Sequence, residues 1–196
     1  MSDAGFAAAY RGAPPWEIGR PQPAVVALAG RGGFAGRVLD VGCGTGENTL
    51  YLAGLGHPVL GIDGTPAAIE RARSKASQRG STAEFAVADA FGLAALHRRF
   101  DVALDSAFLH VLSGSRARRA YIDQLAAVVI PGGRVHLLEI SEADVKLVPS
   151  MTRAEITGAF GEGWSAPEIS TESYAVTTGD IPAWLVTVRR EGEHDE

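Results

Sequence analysis

Three glycines at every second position, Gly42, Gly44 and Gly46, follow the apolar run Val38-Leu39-Asp40-Val41. Glycine lets backbone approach a ligand with no Cβ in the way. An apolar run feeding such a turn reads as a buried strand, a tight loop and then a helix. The chemistry this spacing supports is the binding of a nucleotide-like molecule across the end of a strand. Further acids close or follow the next apolar runs, at Asp63, Asp89 and Asp105.

The spacing also narrows the ligand. In the dinucleotide fingerprint the third glycine falls one residue later, and the helix N-terminus holds a pyrophosphate. Here that position is Glu47, and a carboxylate in the first helical turn repels a pyrophosphate. No Gly-Lys-Ser/Thr ending follows, which removes a phosphate-cradling loop. A ligand with adenosine and no phosphate remains. S-adenosylmethionine (SAM) fits that description, and a rim of Asp40, Asp63, Asp89 and Asp105 suits its sulfonium cation.

Each acid has an ordinary reading beside the ligand one. Asp63, at the end of a strand, can accept both ribose hydroxyls, or cap the helix that Thr65-Pro66 opens. Asp89 can accept from the adenine amino group, with Ala90 and Phe91 as an apolar wall, or be an exposed loop acid. Asp40 either orients the glycine loop and reaches the SAM amino group through water, or is purely structural. Asp105 can face the amino end of SAM. Cys43 reads as a small packing residue and Asn48 as a partner for backbone near the helix start.

Past the fourth strand lie Ser106, Phe108 and His110, where an acceptor would meet the methyl group. His110 is the histidine placed to act as a general base, against the ordinary reading of a packed residue. His57, His97 and His194 read as loop or tail residues. Tyr10, Trp16 and Phe108 can wall a flat substrate or pack in the core, and Trp164 reads less readily as pocket-lining.

These side chains need a frame. Strands are expected at residues 37–41, 58–63, 83–88, 100–105 and 134–141, with helices at 47–55, 66–79 and 116–129 between them. Helix 66–79 has Thr65 as N-cap and Gly80 as its stop. Such alternation predicts a Rossmann-like, doubly wound α/β sheet with right-handed crossovers. A capping box, Thr152 with Glu155, opens a helix over 152–160. Strands at 172–177 and 183–189, joined by Gly-Asp-Ile-Pro, predict an antiparallel C-terminal edge hairpin and seven strands in all. The tail over 191–196 is polar.

At 196 residues the chain is most simply one domain, 1–196, with an arm and a short helix over 1–36 and the core over 37–190. Hydrophobic residues make up 46% and charged residues 21%, an ordinary globular balance. The net charge of −5, with no basic stripe, argues against a nucleic-acid partner. No signal-peptide pattern opens the chain and no apolar run is long enough for a bilayer, so a cytoplasmic place and no membrane partner are expected. A single cysteine offers neither disulfide nor metal site, and no metal is expected. Abundant Ala, Gly and Arg with little Lys point to a bacterial source.

In the order of these motifs the chain, from Trp16 to Val188, resembles the class I SAM-dependent methyltransferases. The resemblance rests on Gly42-x-Gly44-x-Gly46, Asp63, Asp89-Ala90, Asp105-Ser106 and Pro131-Gly132-Gly133. It implies that the glycine loop wraps the methionine part of SAM, that Asp63 meets the ribose hydroxyls, that Gly64 also binds the cofactor, and that Asp89-Ala90 lies beside adenine. The arm Pro15-Trp16-Glu17-Ile18-Gly19-Arg20-Pro21 is similar to that of small bacterial thiopurine and tellurite-resistance methyltransferases. It is also similar to that of mycobacterial heterocyclic-toxin methyltransferases. That likeness implies an arm folded over the cofactor, with Trp16 and Arg20 near the methionine end. The implied activity is in-line methyl transfer to O, N or S of a small, aromatic or heterocyclic acceptor, by a monomer or weak dimer. The acceptor is expected to be covered by the arm and by residues 142–163. The alternative is a SAM-binding regulatory protein of the same fold.

Overall fold

The computed structural model describes residues 8–10, 12–141 and 149–192. Strands β1 (Val38–Val41), β2 (Val59–Asp63), β3 (Glu84–Val87), β4 (Phe100–Ser106) and β5 (Val129–Ile140) run parallel. After them β6 (Glu168–Val176) and β7 (Gly179–Arg189) pair antiparallel, and β7 docks antiparallel on β5. The sheet order is β3-β2-β1-β4-β5-β7-β6. The order reverses between β1 and β4, and the strand ends around that reversal are where an open α/β sheet leaves a crevice.

Local chemistry sets the helices. α1 (Pro23–Gly30) and α3 (Pro66–Arg79) each begin with a proline, whose missing N–H costs nothing there. α2 (Glu47–Gly54) starts directly from the glycine loop, and α4 (Gly114–Val128) leads into β5. α5 (Arg153–Ala159) carries the expected capping box: Thr152 Oγ1 accepts from Glu155 N at 3.0 Å and Glu155 Oε2 accepts from Thr152 N at 2.9 Å. Alternate strand residues feed cores on the two sheet faces. Leu39, Val41, Ala103, Val135 and Leu137 join α4 and α5 on one face. Val38, Val59, Val102 and Leu104 join α1 and α2 on the other.

Three boundaries differ from expectation. β5 starts at Val129 and runs through Pro131-Gly132-Gly133, because Gly132 N donates to Arg190 O and Arg190 N to Gly133 O, extending the ladder past β7. The hairpin turns at Thr177-Thr178, since Val176 pairs with Gly179, and Gly-Asp-Ile-Pro lies inside β7. Of the hairpin's two strands β6 lies at the sheet edge and β7 is internal. A 3-10 segment (Ala90–Leu96), unforeseen from the sequence, follows β3. The part of the expected cover at 142–148, the opening residues 1–7 and the tail at 193–196 with His194 lie outside the described residues.

The arm is fastened on three sides. Gln22 is buried; its side-chain amide donates to Ala175 O at 3.0 Å and accepts from Ala175 N at 2.9 Å. It thus pairs part of the β6 edge, a site that otherwise invites other strands. Gln22 N donates to Asn48 Oδ1 at 2.9 Å, and Thr177 N donates to Pro15 O at 2.8 Å. The expected backbone role of Asn48 is therefore toward the arm.

Candidate active site

Around the strand ends lies a cavity of about 1010 Å³. Gly42 and Gly44 line it with φ of +67° and +56°, conformations that side chains other than glycine's rarely adopt. A Cβ on Gly44 would stand 2.7 Å from Tyr10 Oη and 3.0 Å from Glu17 Oε1, so the arm rests on the loop. Glu17 accepts from Thr45 N at 3.2 Å and also from Thr45 Oγ1. Trp16 Nε1 donates to Tyr10 Oη at 3.1 Å, and the two rings meet edge to face.

Asp63 holds both ends of its own neighbourhood. Its Oδ2 accepts from Gly44 N at 3.1 Å and its Oδ1 from Thr65 N at 2.7 Å. Both readings of this residue thus coexist: it braces the loop and the helix start, and each carboxylate oxygen retains acceptor capacity toward the cavity. Burial pushes its pKa up. Asp89 is exposed and caps the 3-10 segment through Phe91 N at 2.8 Å. On either side of it Val87 and Phe91, both exposed, also line the cavity and offer apolar faces. Gly64 and Ala90 complete this lobe.

The second lobe begins after β4. Ala107 has φ of +74°, a strained conformation for a residue with a Cβ. Phe108 N donates to Asp105 Oδ1 at 2.8 Å and Ala107 N to Leu138 O, which hold the turn. The turn places Ser106, Phe108 and His110 on the cavity wall, beside Trp16, Tyr174 and Ile181. Phe108 packs against Gly42, where an added Cβ would lie 3.3 Å away, and its ring meets Tyr121 edge to face at 5.1 Å. It therefore stands between the two lobes.

The wall fits SAM better than a phosphate ligand. Its described carboxylates are Glu17, Glu47, Asp63 and Asp89, against Arg20 as a cation. A sulfonium and a ribose suit that balance, and a pyrophosphate does not.

The family comparison decides the identity. A family model described as a methyltransferase domain matches residues 38–133. A 2-heptyl-1-hydroxyquinolin-4(1H)-one methyltransferase of Mycobacteroides abscessus is 32% identical over 178 residues, covering 84% of this chain and 78% of that protein. The chain belongs to the SAM-dependent methyltransferases. A chain solved in work on the conversion of a disulfide bond into a thioacetal group during echinomycin biosynthesis is 38% identical to the enzyme. It covers 97% of this chain and 92% of that chain with a TM-score of 0.85. The N-methyltransferase NodS of Bradyrhizobium japonicum WM9, solved with S-adenosylhomocysteine, shares the fold. Its TM-score is 0.75 at 21% identity, over 96% of this chain and 98% of that chain.

Within the methyltransferase three expected cofactor residues stand away from the wall. Asp40 and Asp105 are fully buried one layer behind it, and neither lines the cavity. Gly46 also faces away: its φ is +85°, and a Cβ there would meet the Phe85 ring at 2.6 Å. Its glycine is required by the positive φ and by the close approach of Phe85 from β3. Cys43 lines the cavity, but burial and the Asp40 and Asp63 charges push its thiol pKa up, away from a nucleophile's. Trp164 packs in the core against Phe160.

Sequence reasoning missed Glu139 of β5 and the clamp by Glu17. Glu139 is wholly buried; it accepts from Leu109 N at 3.2 Å and His110 N at 2.9 Å, and it lies 2.6 Å from His110 Nδ1. The available signal was a lone acid in the apolar run Leu137-Leu138-Glu139-Ile140, where an unpaired carboxylate is too costly to keep.

Asp40, Asp105 and Glu139 form a buried acidic layer behind the enzyme's cavity. Burial is the main cause of each upward pKa shift, to about 7 for Asp40 and about 7 for Glu139, with Asp105 pushed well above the carboxylate range. A carboxyl whose folded pKa is raised stabilises the fold fully below its unfolded value and loses that contribution as pH rises through the folded one. Unliganded enzyme is therefore expected to lose thermal stability between about pH 4 and pH 7. Asp40→Asn stays uncharged and keeps an acceptor for Thr49 Oγ1, now 2.5 Å from Asp40 Oδ2. Its Tm relative to wild type should rise across the same window, each kcal/mol being worth about 2–4 °C. Parallel Tm–pH curves for the two proteins would contradict this placement of the charge.

Proposed function

We propose that the enzyme transfers the SAM methyl group to an O, N or S atom of a small, largely apolar aromatic or heterocyclic acceptor. Both molecules would share the two-lobed cavity. The observation that carries this reading is the second lobe. Trp16, Phe108, Tyr174 and Ile181 give it flat and aliphatic walls, and Ser106 and His110 supply its polar points. The relatives' names support it: one acts on a hydroxyquinolone, and the other comes from chemistry at a disulfide.

In this reading Gly42, Gly44 and Gly64 present backbone to the methionine and ribose parts. Asp63 takes the ribose hydroxyls, Asp89 the adenine amino group, and Val87, Ala90 and Phe91 the ring faces. Trp16 and Arg20 close the methionine end from the arm, and Tyr10 holds Trp16. Asp40 and Asp105 act from behind the wall through the residues they brace. Bound there, SAM supplies a methyl group on an already activated sulfonium. The chain's work is to hold nucleophile and methyl in line, which can be worth roughly 7–11 kcal/mol. The carboxylates favour the cation before transfer and so aid binding more than the chemical step. His110 takes a proton from the acceptor when it carries one.

The reading includes one methyltransferase domain over 1–196, acting as a monomer or weak dimer in the cytoplasm without nucleic-acid or membrane partners. No described helix is long and apolar enough to cross a membrane. Its test is a panel of phenols, quinolones, thiols and N-heterocycles with labelled SAM, read as methyl incorporation. Incorporation into small apolar members is expected. A protein that binds SAM, methylates none of them and methylates a polymer instead would overturn the acceptor assignment.

A further inference from the structure

We infer that Glu139 positions His110 for proton transfer, fixing the imidazole with Nδ1–H on the carboxylate and leaving Nε2 as the proton acceptor. The inference rests on the base role proposed for His110. It also names the acceptor class: a phenol-like O–H or ring N–H that still carries its proton at neutral pH.

The geometry begins with the backbone. Leu109 N and His110 N both donate to Glu139, at 3.2 and 2.9 Å, so the 3-10 turn (Leu109–Val111) fixes the carboxylate before the imidazole contributes anything. An ionised carboxylate only accepts. Once Glu139 is ionised, its 2.6 Å contact with Nδ1 therefore puts the ring proton on Nδ1. Nε2 makes no hydrogen bond among the described residues, and His110 lines the cavity. A carboxylate behind an imidazole both sets the tautomer and raises the basicity of the far nitrogen.

Burial disfavours charge on Glu139, while hydrogen bonds from Asp105, Leu109 N and His110 N, together with Arg118, favour it. Asp105 of β4 faces both groups, and burial and the Glu139 charge push its pKa well above the usual carboxylate range. Tyr121 of α4 and Tyr174 of β6 also lie within reach of the Glu139 charge and are held as phenols. Arg118 of α4 favours the ionised form of Glu139 and opposes charge on His110. Burial pushes His110 down to about 4 and Glu139 up to about 7, so the pair titrates as a unit and takes one proton from its anionic state. In the step, the acceptor's X–H bond breaks, its electron pair stays on X, and the proton goes to Nε2. The pair passes from one negative charge to none.

A merely structural Glu139, tying the turn to β5, would place no demand on the tautomer. Nitrogen-15 NMR of the ligand-free wild-type protein at about pH 8 separates the two. His110 is expected with Nδ1 protonated and Nε2 bare; an Nε2–H tautomer overturns the inference, whether or not any variant folds. Glu139→Gln removes the charge and one acceptor atom. With 7-hydroxyquinoline as acceptor its kcat should fall roughly a hundredfold, and its rise with pH should follow only the acceptor's own ionisation. SAM affinity should be unchanged and Glu139→Asp should restore part of the loss. Unchanged kcat and pH profile in Glu139→Gln, beside a crippled His110→Ala, sinks the Glu139 role and leaves the base standing. Full turnover by His110→Ala removes the base itself.

Discussion

His110→Ala is expected to lower turnover of a protonated acceptor by roughly a hundredfold to ten-thousandfold, with SAM affinity unchanged. His110, the glycine loop, Asp63 and Asp89 all line the cavity, and in the proposed site His110 faces the acceptor while the others hold the cofactor. Removing the imidazole therefore takes away the proton acceptor and leaves the cofactor lobe intact. The pH dependence has a definite sign. Below about 7 the buried pair already holds the proton it would otherwise accept. Wild-type kcat should thus rise with pH through that value. In His110→Ala the rise should follow only the acceptor's own ionisation and start at higher pH. An acceptor already ionised at the assay pH should be insensitive to the change. Profiles of kcat against pH for wild type and variant check this; coincident profiles would rule the base out.

Asp63→Ala is expected to weaken SAM binding by about a hundredfold, near 3 kcal/mol. The carboxylate is asked to do two things at once. It anchors Gly44 N and Thr65 N, at 3.1 and 2.7 Å, and so sets the shape of the loop and of the helix start. In the proposed site its remaining lone pairs take the ribose hydroxyls. Hydrogen bonds to a charged group are worth about 1.5–3 kcal/mol each, so losing the ribose contacts and loosening the loop together reach the stated size. Asp63→Asn keeps one acceptor oxygen but presents an NH2 group to one of the two backbone donors, and should fall between. Thermal melts of the ligand-free proteins separate loss of binding from loss of fold. A variant that folds and binds SAM as tightly as wild type would remove Asp63 from the site.

What the sequence disclosed and what it hid divide along local and long-range lines. The turn of Gly42 and Gly44 after β1, Asp63 at the end of β2 and the capping box at Thr152 are local patterns, and each stands where its spacing predicted. The seven-stranded sheet followed from the alternation of short apolar runs with helical ones. The depth of a residue did not follow. Asp105 read as an acid facing SAM, yet it is buried behind the wall; Asp40 is buried there too, in keeping with its structural reading, and the Ala107 turn after β4 brings Ser106, Phe108 and His110 forward. Gly46 belongs to the motif by spacing, but its neighbour is the Phe85 ring from β3, 39 positions along. Glu139 and Gln22 reach partners 29 and 153 positions away, so nothing in their own segments named those partners. The extended start of β5 has the same cause, because Arg190 supplies the backbone groups that carry it through Pro131.

The measurement that bears most directly on the central claim is calorimetric titration of the purified enzyme with SAM, S-adenosylhomocysteine and NAD. The account predicts saturable binding of the first two, one per chain, lost in Asp63→Ala, and no binding of NAD. Undiminished SAM binding by Asp63→Ala, or NAD binding in place of SAM, would contradict it.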